Sequence, residues 1–419
     1  MRGAANEMHT RSRKVMIASR KAIHSTRYRT REPRPGPGVM SRADYHGSAM
    51  NVEALIAAHV RGMQPYVPIV PLDVLSKRLG LPVERIVKLD ANENPYGTSP
   101  RALEALAASR ELHIYPDPDQ AALREALSAF VGVPMEHILC GAGGDEVIDL
   151  LARAFVEPGQ FIIDLPPTFG MYKWEADVLG AQYVSVPRRR DFSVDVEAVE
   201  GTVRTLEASG VPPKLLFVTN PNNPDGSITS RADLLRLLDL PVVVVVDEAY
   251  IDFSTQQSLA PLVPERGNLI VLRTFSKLAG MAGLRVGYGV FPLPVIKQLW
   301  KVKQPYTPNV AGSVMAIAAM QDRPWLDQSV IAITAERQRM TEALRGLEWL
   351  TPLPSESNFV LCRVGGGRDA KAVKQAIEKQ GVLVRYFDKD GLRDCLRISV
   401  GKPEHTDALI TALEQAGQV

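Results

Sequence analysis

Residues 241–250, PVVVVVDEAY, do most to restrict the fold: six apolar residues in a row end abruptly on an acid. The run is far too short to cross a membrane, so it reads as a short central strand. Side chains on a strand alternate between faces, and a strand that is apolar at every position must be covered on both. Similar runs recur as HILCG, FIIDL, QYVSVP, KLLFVT, LIVLRT and LRVGYG. Between them lie DEVIDLLARAF, FGMYKWEADVLG, VDVEAVEGTVRTLEASG and SRADLLRLLDL, whose apolar residues recur at helical spacing. Strands alternating with amphipathic helices predict an α/β fold, here a three-layer domain with a mostly parallel sheet.

A chain of 419 residues exceeds one typical hydrophobic core, which favours two domains. The large unit is expected over 85–325, beginning near IVKLDANENP. After the linker-like PYTPN the pattern changes. LDQSVIAITAERQRMTEALRGL, DAKAVKQAIEKQG and HTDALITALEQAG read as helices, and NFVLCRV, VLVRYF and CLRISVG as short strands. These make a smaller α+β domain over 326–419. Residues 50–84, with a helix in NVEALIAAHVRGM and another in PLDVLSKRLG, are expected to join it.

The net charge of +2 conceals a split, because residues 1–50 hold eleven Lys or Arg against three acids and the rest of the chain is therefore about −6. Nucleic-acid binding therefore has little support from the body of the chain. The basic head ends in a Pro/Gly segment and is expected to be disordered over 1–45. It reads as a dispensable extension or an early translation start, with organelle targeting or a binding arm as the alternatives. Three cysteines far apart form no ligand or redox spacing and fit a reducing cytoplasm. The seven histidines are scattered, so no metal site is expected. No apolar run reaches membrane-spanning length.

In an α/β sheet, ligands sit beyond the carboxyl ends of the strands. Those ends read GAGGDEV after HILC, PPTFGMY after FIID, TNPNNPDG after LLFV, DEAY after VVVVV and TFSK after LIVLR. One rim thus receives glycines, an aromatic ring, an asparagine, an aspartate, a tyrosine and a lysine. A lysine amine forms a Schiff base with an aldehyde. Asp247, closing an apolar strand, must be paired or solvated, and its charge can keep a ring nitrogen protonated. Asn223 and Tyr250 can donate to a phenolic oxygen, Phe169 can stack on a ring, and glycine amides at a helix start can hold a phosphate. Pyridoxal 5'-phosphate carries all four of these features. Taken singly, Lys277 reads as a surface lysine, Phe169 as core and TNPNNPDG as a turn. Their joint occurrence at consecutive strand ends points to the cofactor.

Over residues 60–405 the chain resembles the fold-type I, class I/II pyridoxal-phosphate-dependent aminotransferases, and within them most closely the histidinol-phosphate aminotransferases. The motifs LDANENPYG, YPDP, GAGGDE, PPTFGMY, TNPNNPDG, VVDEAYIDF, TFSKLAGMAGLRVGYG, ESNFVLC and CLRISVG carry the resemblance, in that order. It implies three catalytic residues: Lys277 as the covalent lysine and proton shuttle, Asp247 on the ring nitrogen and Tyr250 on the ring oxygen. Asn223 is implied beside Tyr250 and Phe169 on the ring face. Gly143, Gly144, Asp145, Thr274, Ser276 and Arg285 complete the implied cofactor contacts on this chain, mostly around the phosphate. Tyr115 of YPDP is implied to reach that phosphate from a neighbouring subunit, which makes a homodimer part of the site. Arg397 is implied to grip the anionic end of the substrate, with Tyr66, Asn92, Asn358 and Arg385 at other substrate positions.

Two positions depart from the family pattern. Gly144 stands where many relatives have serine, which removes one hydroxyl donor to the phosphate. Asp225 stands where threonine is common in NPNNPTG; its carboxylate can cap the turn and is expected to point into it. The implied reaction moves an amino group between glutamate/2-oxoglutarate and imidazole-acetol phosphate/histidinol phosphate, in histidine biosynthesis. A planar guanidinium suits carboxylate and phosphate alike, so two alternatives stay open: an aromatic-amino-acid aminotransferase and a threonine-phosphate decarboxylase. A regulator built on an inactive version of the fold would need a DNA-binding segment, and residues 1–50 carry no convincing helix-turn-helix pattern.

Overall fold

The structure is a computed structural model that describes residues 51–65 and 70–417. Residues 51–62 belong to a compact unit separate from Met63–Val419. They hold two single-turn helices, Val52–Leu55 and Ala58–Arg61, neither with a buried residue. The expectation of one helix there is corrected to two single turns interrupted at Ile56 and Ala57, both of extended backbone or nearly so; helices this short gain little without an apolar face to bury. The helix expected in PLDVLSKRLG is present as Leu72–Leu79, and its Arg78 forms an ion pair with Glu378.

Twelve strands lie among the described residues. In chain order they are β1 (Val87–Leu89), β2 (Ile138–Gly141), β3 (Phe161–Asp164), β4 (Gln182–Ser185), β5 (Leu215–Thr219), β6 (Val243–Asp247), β7 (Leu269–Thr274), β8 (Gly287–Val290), β9 (Leu350–Pro352), β10 (Phe359–Val364), β11 (Val382–Tyr386) and β12 (Cys395–Ser399). The larger sheet has the order β2-β8-β7-β6-β5-β3-β4. Its neighbours are parallel except β8, which runs antiparallel to both β2 and β7. All seven strands expected from the apolar runs are there.

The valine run shows why both faces are covered. Val244 and Val246 pack with Leu216, Val218 and residues of the helices Ala121–Val131, Val196–Ala208 and Val310–Gln321. Val245, pointing the other way, packs with Phe217, Ile270 and residues of the helices Gly143–Phe155, Met171–Val178 and Leu293–Val302. The alternation of side chains on one strand thus feeds two separate cores.

The smaller sheet has the order β1-β11-β12-β10-β9, with β1 parallel to β11 and the other neighbours antiparallel. Val87–Leu89, expected to open the larger unit, is corrected to this sheet. The strand covers what would otherwise be the open edge of β11, and Leu89 is buried with Val382, Val384 and Ile398. The segment that follows, residues 90–94, leaves the smaller sheet toward the strand ends of the larger one. The boundary expected near 325 falls inside a long helix, Arg323–Arg345. Leu326 of that helix packs in a core of the larger sheet, while Ile333, Met340 and Leu344 pack in that of the smaller.

Candidate active site

β6 ends on Asp247, which is 7% exposed. Its Oδ1 accepts the Ala249 N–H at 3.0 Å, and its Oδ2 lies 2.7 Å from the Tyr172 hydroxyl. Burial pushes this carboxyl up from its ordinary range and Asp145 adds to the effect, against the pull of Tyr172, the Ala249 N–H and Lys277. No ion pair engages Asp247 among the described residues.

Lys277 comes from the loop after β7. Its Nζ is 3.5 Å from the Ala91 carbonyl and 5.8 Å from the centre of the Tyr250 ring. The loop is shaped by its own polar contacts: Thr274 Oγ1 donates to Ser276 Oγ at 3.0 Å and accepts the Ser276 N–H at 3.1 Å. Gly280, at φ +63°, lets the loop lie against the Gly97 backbone, where a Cβ would collide with the Gly97 carbonyl. Arg285 adopts left-handed backbone geometry, φ 53°, a region uncommon outside glycine. It sends its guanidinium to Asp145 Oδ2 at 2.9 Å.

The Gly143–Phe155 helix opens directly after β2. A Cβ on Gly143 would strike the Arg285 guanidinium, and one on Gly287 of β8 would strike the Gly143–Gly144 peptide. Gly144 faces open space instead. The result is a helix N-terminus with free N–H groups, pressed onto a strand and flanked by an arginine, an arrangement suited to a phosphate.

The Tyr250 hydroxyl lies 3.2 Å from Asn92 Nδ2 and 3.3 Å from Asn223 Nδ2, both of which donate to it. Asn223 Oδ1 accepts from Arg397 at 2.7 Å, and Arg397 also donates to the Asp90 carbonyl at 2.8 Å. Asn358 Nδ2 donates to the Asn92 carbonyl at 3.0 Å. Arg397 therefore reaches from β12 of the smaller sheet to the strand ends of the larger one. Its guanidinium lies over the rings of Phe359 and Phe387, 5.3 and 5.5 Å from their centres.

Lys277, Asp247, Asn223, Tyr250 and Phe169 line one cavity of about 170 Å³, together with Gly144, Asp145, Thr274, Ser276 and Arg285. Gly143 lies against the Arg285 guanidinium. Asn92, Asn358 and Arg397 join through the hydrogen bonds above. Arg385 pairs with Arg397 in register and sits over Phe387 at 5.7 Å, without a hydrogen bond into that network. Tyr115 is not among the cavity-lining residues; it is 76% exposed and stacks on Tyr306 at 4.4 Å. Tyr66 lies outside the described residues. Asp225 points into its turn as expected, accepting the Ser227 N–H at 2.9 Å and a bond from Asn222 Nδ2.

Sequence reasoning missed Tyr172 and Thr219. Tyr172 lies in the first turn of the Met171–Val178 helix, and its ring meets that of Phe169, which precedes the helix, edge-on at 5.7 Å. Thr219 closes β5 as Asp247 closes β6, and the two are register partners.

Residues 56–413 match the family model for aminotransferase class I and II. The chain belongs to the class I and II aminotransferases. The histidinol-phosphate aminotransferase of Roseiflexus castenholzii is 50% identical over 372 residues, covering 87% of this chain and 99% of that one. A chloroplastic histidinol-phosphate aminotransferase of Nicotiana tabacum is 49% identical over 362 residues, covering 86% of each chain. Among solved structures, histidinol-phosphate aminotransferase from Sinorhizobium meliloti in complex with pyridoxal-5'-phosphate aligns with a TM-score of 0.78 at 26% identity, over 88% of this chain and 99% of that one. The two-sheet α/β architecture is that of fold-type I aminotransferases, as the motif order implied.

Proposed function

We propose that this aminotransferase uses pyridoxal 5'-phosphate to exchange an amino group between glutamate and imidazole-acetol phosphate, forming histidinol phosphate and 2-oxoglutarate. The observation that carries the reading is a single cavity holding Lys277 and the buried carboxyl of Asp247 beside a helix N-terminus and an arginine. Half identity along nearly the full length of relatives of that name supports the substrate.

The donor set fits the cofactor. Asp247 is a buried acid without an ion pair among the described residues, so a protonated ring nitrogen gives it the partner it lacks. Gly144, Arg285, Thr274 and Ser276 line the cavity at the N-terminus of the Gly143–Phe155 helix and would cradle a phosphate there. The hydroxyl that serine would supply at Gly144 is missing, and the backbone donor takes its place. Phe169 lines the same cavity and would cover a ring, and Tyr250 with Asn223, which donates to it, would meet a ring oxygen.

When bound, pyridoxal phosphate supplies an aldehyde that links to amines and a ring that spreads negative charge from the adjoining carbon. Asp247 keeps the ring nitrogen protonated. Lys277, once its amine is free, would act as the general base that takes the proton from the substrate α-carbon and as the acid that gives it back. Arg397, oriented by Asn223 and the Asp90 carbonyl and flanked by two rings, binds the anionic end of the substrate. Asn92 and Asn358 hold the Tyr250 hydroxyl and the 90–94 segment in place. Tyr66 and Arg385 complete the proposed substrate side.

The proposed assembly is a homodimer in which Tyr115 reaches the partner's site. Its exposure, with Leu112 and Ile114 beside it, supports that role. The proposed compartment is the cytoplasm, in keeping with three free, buried cysteines.

Steady-state rates with histidinol phosphate, phenylalanine and phosphothreonine, with 2-oxoglutarate as acceptor, test the substrate. Histidinol phosphate is expected to exceed phenylalanine in kcat/KM by roughly 10²–10⁴-fold, with no carbon dioxide from phosphothreonine. Preference for phenylalanine, or release of carbon dioxide, would overturn the reading.

A further inference from the structure

The carboxyl of Asp247 is one end of a chain of oxygen atoms leading away from the cavity. Its Oδ2 lies 2.7 Å from the Tyr172 hydroxyl, which lies 2.8 Å from Thr219 Oγ1. Thr219 Oγ1 is 3.0 Å from Thr168 Oγ1, and Thr168 Oγ1 is 3.1 Å from Asn222 Oδ1. The Asn222 amide is fixed in orientation because its Nδ2 faces two acceptors, the Pro167 carbonyl at 3.0 Å and the Asp225 carboxylate. The atom turned to Thr168 is therefore an oxygen with no proton to give.

Four oxygen–oxygen contacts of hydrogen-bond length thus run between two end groups, and the three hydroxyls between them supply three protons. With Asp247 ionised, one contact has no proton. A proton on Asp247 completes the set: Asp247 donates to Tyr172, Tyr172 to Thr219, Thr219 to Thr168 and Thr168 to Asn222.

We infer that Asp247 is protonated in the cofactor-free protein, because the Tyr172–Thr219–Thr168 relay is one proton short without it, and that it gives up this proton when the cofactor's ring nitrogen comes to face it. The first half is a property of the chain alone; the second rests on the proposed cofactor. With a ring nitrogen that arrives neutral, an O–H bond breaks and an N–H bond forms; with one that arrives already protonated, the acid's proton leaves to solvent; either way the end state is a carboxylate facing a ring cation, and a protein whose Asp247 starts ionised exchanges one proton differently with the buffer. Tyr172 then turns its proton to the new carboxylate and Thr219 turns to Tyr172. The contact without a proton moves to Thr168, the far end from the charge.

The groups facing Asp247 and the relay are consistent with this. Burial, the largest influence, favours the protonated acid, as does Asp145 from the Gly143–Phe155 helix; the Tyr172 hydroxyl when it acts as donor, the Ala249 N–H and Lys277 from the loop after β7 favour the carboxylate. Tyr250 borders the same cavity, Arg273 on the neighbouring strand is engaged by Asp252, and Arg188 donates to the Thr219 carbonyl at 3.4 Å. Burial raises the Tyr172 hydroxyl well above its ordinary value, which keeps it a neutral donor. Tyr172, Thr219 and Thr168 are positioning residues, acting through Asp247.

The test is an infrared pH titration of the full chain freed of cofactor, with the Asp247 carboxylic-acid band identified by its loss in Asp247→Asn. The wild type is expected to keep the band at neutral pH. Thr168→Val leaves two contacts and two protons, so an ionised Asp247 is then fully satisfied and the midpoint falls by about one pH unit, the worth of one hydrogen bond. Thr168→Ser restores the count and the wild-type midpoint. Absence of the band from the wild type at neutral pH, or equal midpoints in wild type and Thr168→Val, would overturn the inference.

Loss of this proton is read by calorimetric binding of pyridoxal phosphate in two buffers of different ionisation enthalpy, at a pH between the two midpoints. Thr168→Val is expected to draw more protons from the buffer than the wild type, and equal uptake would overturn the second half. Failure to bind the cofactor at all would count against the proposed function and leave the infrared result standing.

Discussion

Lys277 has a carbonyl 3.5 Å from its amine and an aromatic ring beyond, and no carboxylate pairs with it among the described residues. An amine so loosely held can be given to a covalent partner at little cost to the fold. Lys277→Ala is therefore expected to keep its circular dichroism and to stay within about 1 kcal/mol of wild-type stability. Its activity is expected to fall by roughly 10²–10⁴-fold or more, with loss of the visible absorption of the covalently bound cofactor. Borohydride would then no longer fix the cofactor to the protein; a reducible adduct surviving in the variant would remove Lys277 from the role. In the sequence this lysine stood out by the motif TFSKLAGMAGLRVGYG and by its place among five successive strand ends, not by its identity taken singly. Tyr172, Thr219 and Thr168 were not readable in the same way. Their connection joins the ends of separate strands and one helix, and a contact of that kind exists only after the sheet has formed.

At the level of the elements, the start of the Gly143–Phe155 helix is seated on β8 by the absence of a side chain at Gly287. Gly287→Ala would drive a methyl group into the Gly143–Gly144 peptide. The expected cost is about 1–3 kcal/mol in denaturant unfolding, with weakened binding of pyridoxal phosphate because the cradle amide moves; unchanged affinity would mean that the amide plays no part. A second prediction belongs to the Met171–Val178 helix. Burial pushes the Glu175 carboxyl up to about 7, with Asp149 and Asp145 of the neighbouring helix adding to the shift, and its Oε2 is buried without a hydrogen-bond partner. The folded value lies above the unfolded one of 4.5, so the folded protein holds a proton that the unfolded chain releases, and stability is lost as pH rises across that interval. Glu175→Gln is expected to melt higher than wild type at pH 8, by on the order of 1 kcal/mol after allowing for solvent screening, and to match it near pH 4. Equal melting at both pH values would place Glu175 in water. The strands of the larger sheet were readable because several are continuously apolar and alternate with amphipathic helices, whereas β1 and β9, three residues each, are too short for any pattern. The Val310–Gln321 helix escaped for the opposite reason: VAGSVMAIAAMQ is small and apolar nearly all round, so it has no polar face to mark a period.

For the whole molecule, the chemistry proposed here draws on both sheets. Arg397 on β12 bonds Asn223 beyond β5, and Asn92, carried out of β1, bonds Tyr250 beyond β6. The fold class was readable because it follows from strand composition; the joining of β1 to the smaller sheet was not, since it depends on pairing with β11, nearly 300 residues away. A further level of assembly is suggested by Leu112, Ile114 and Tyr115, which are 57, 53 and 76% exposed and lie within four consecutive residues. Clustered exposed apolar side chains mark interaction surfaces more often than chance, and a second copy of this chain is the occupant that the YPDP motif implies. Two variants separate the surface from the hydroxyl. Ile114→Glu is expected to move the sedimentation profile from dimer to monomer and to lower cofactor affinity with it. Tyr115→Phe keeps the ring that stacks on Tyr306 and removes one hydrogen bond to an anionic group, about 1.5–3 kcal/mol, so it is expected to stay dimeric while binding pyridoxal phosphate roughly 10–100-fold more weakly. A wild-type chain that sediments as a monomer with full activity, or a Tyr115→Phe variant with unchanged affinity, would mean that one chain completes its own site.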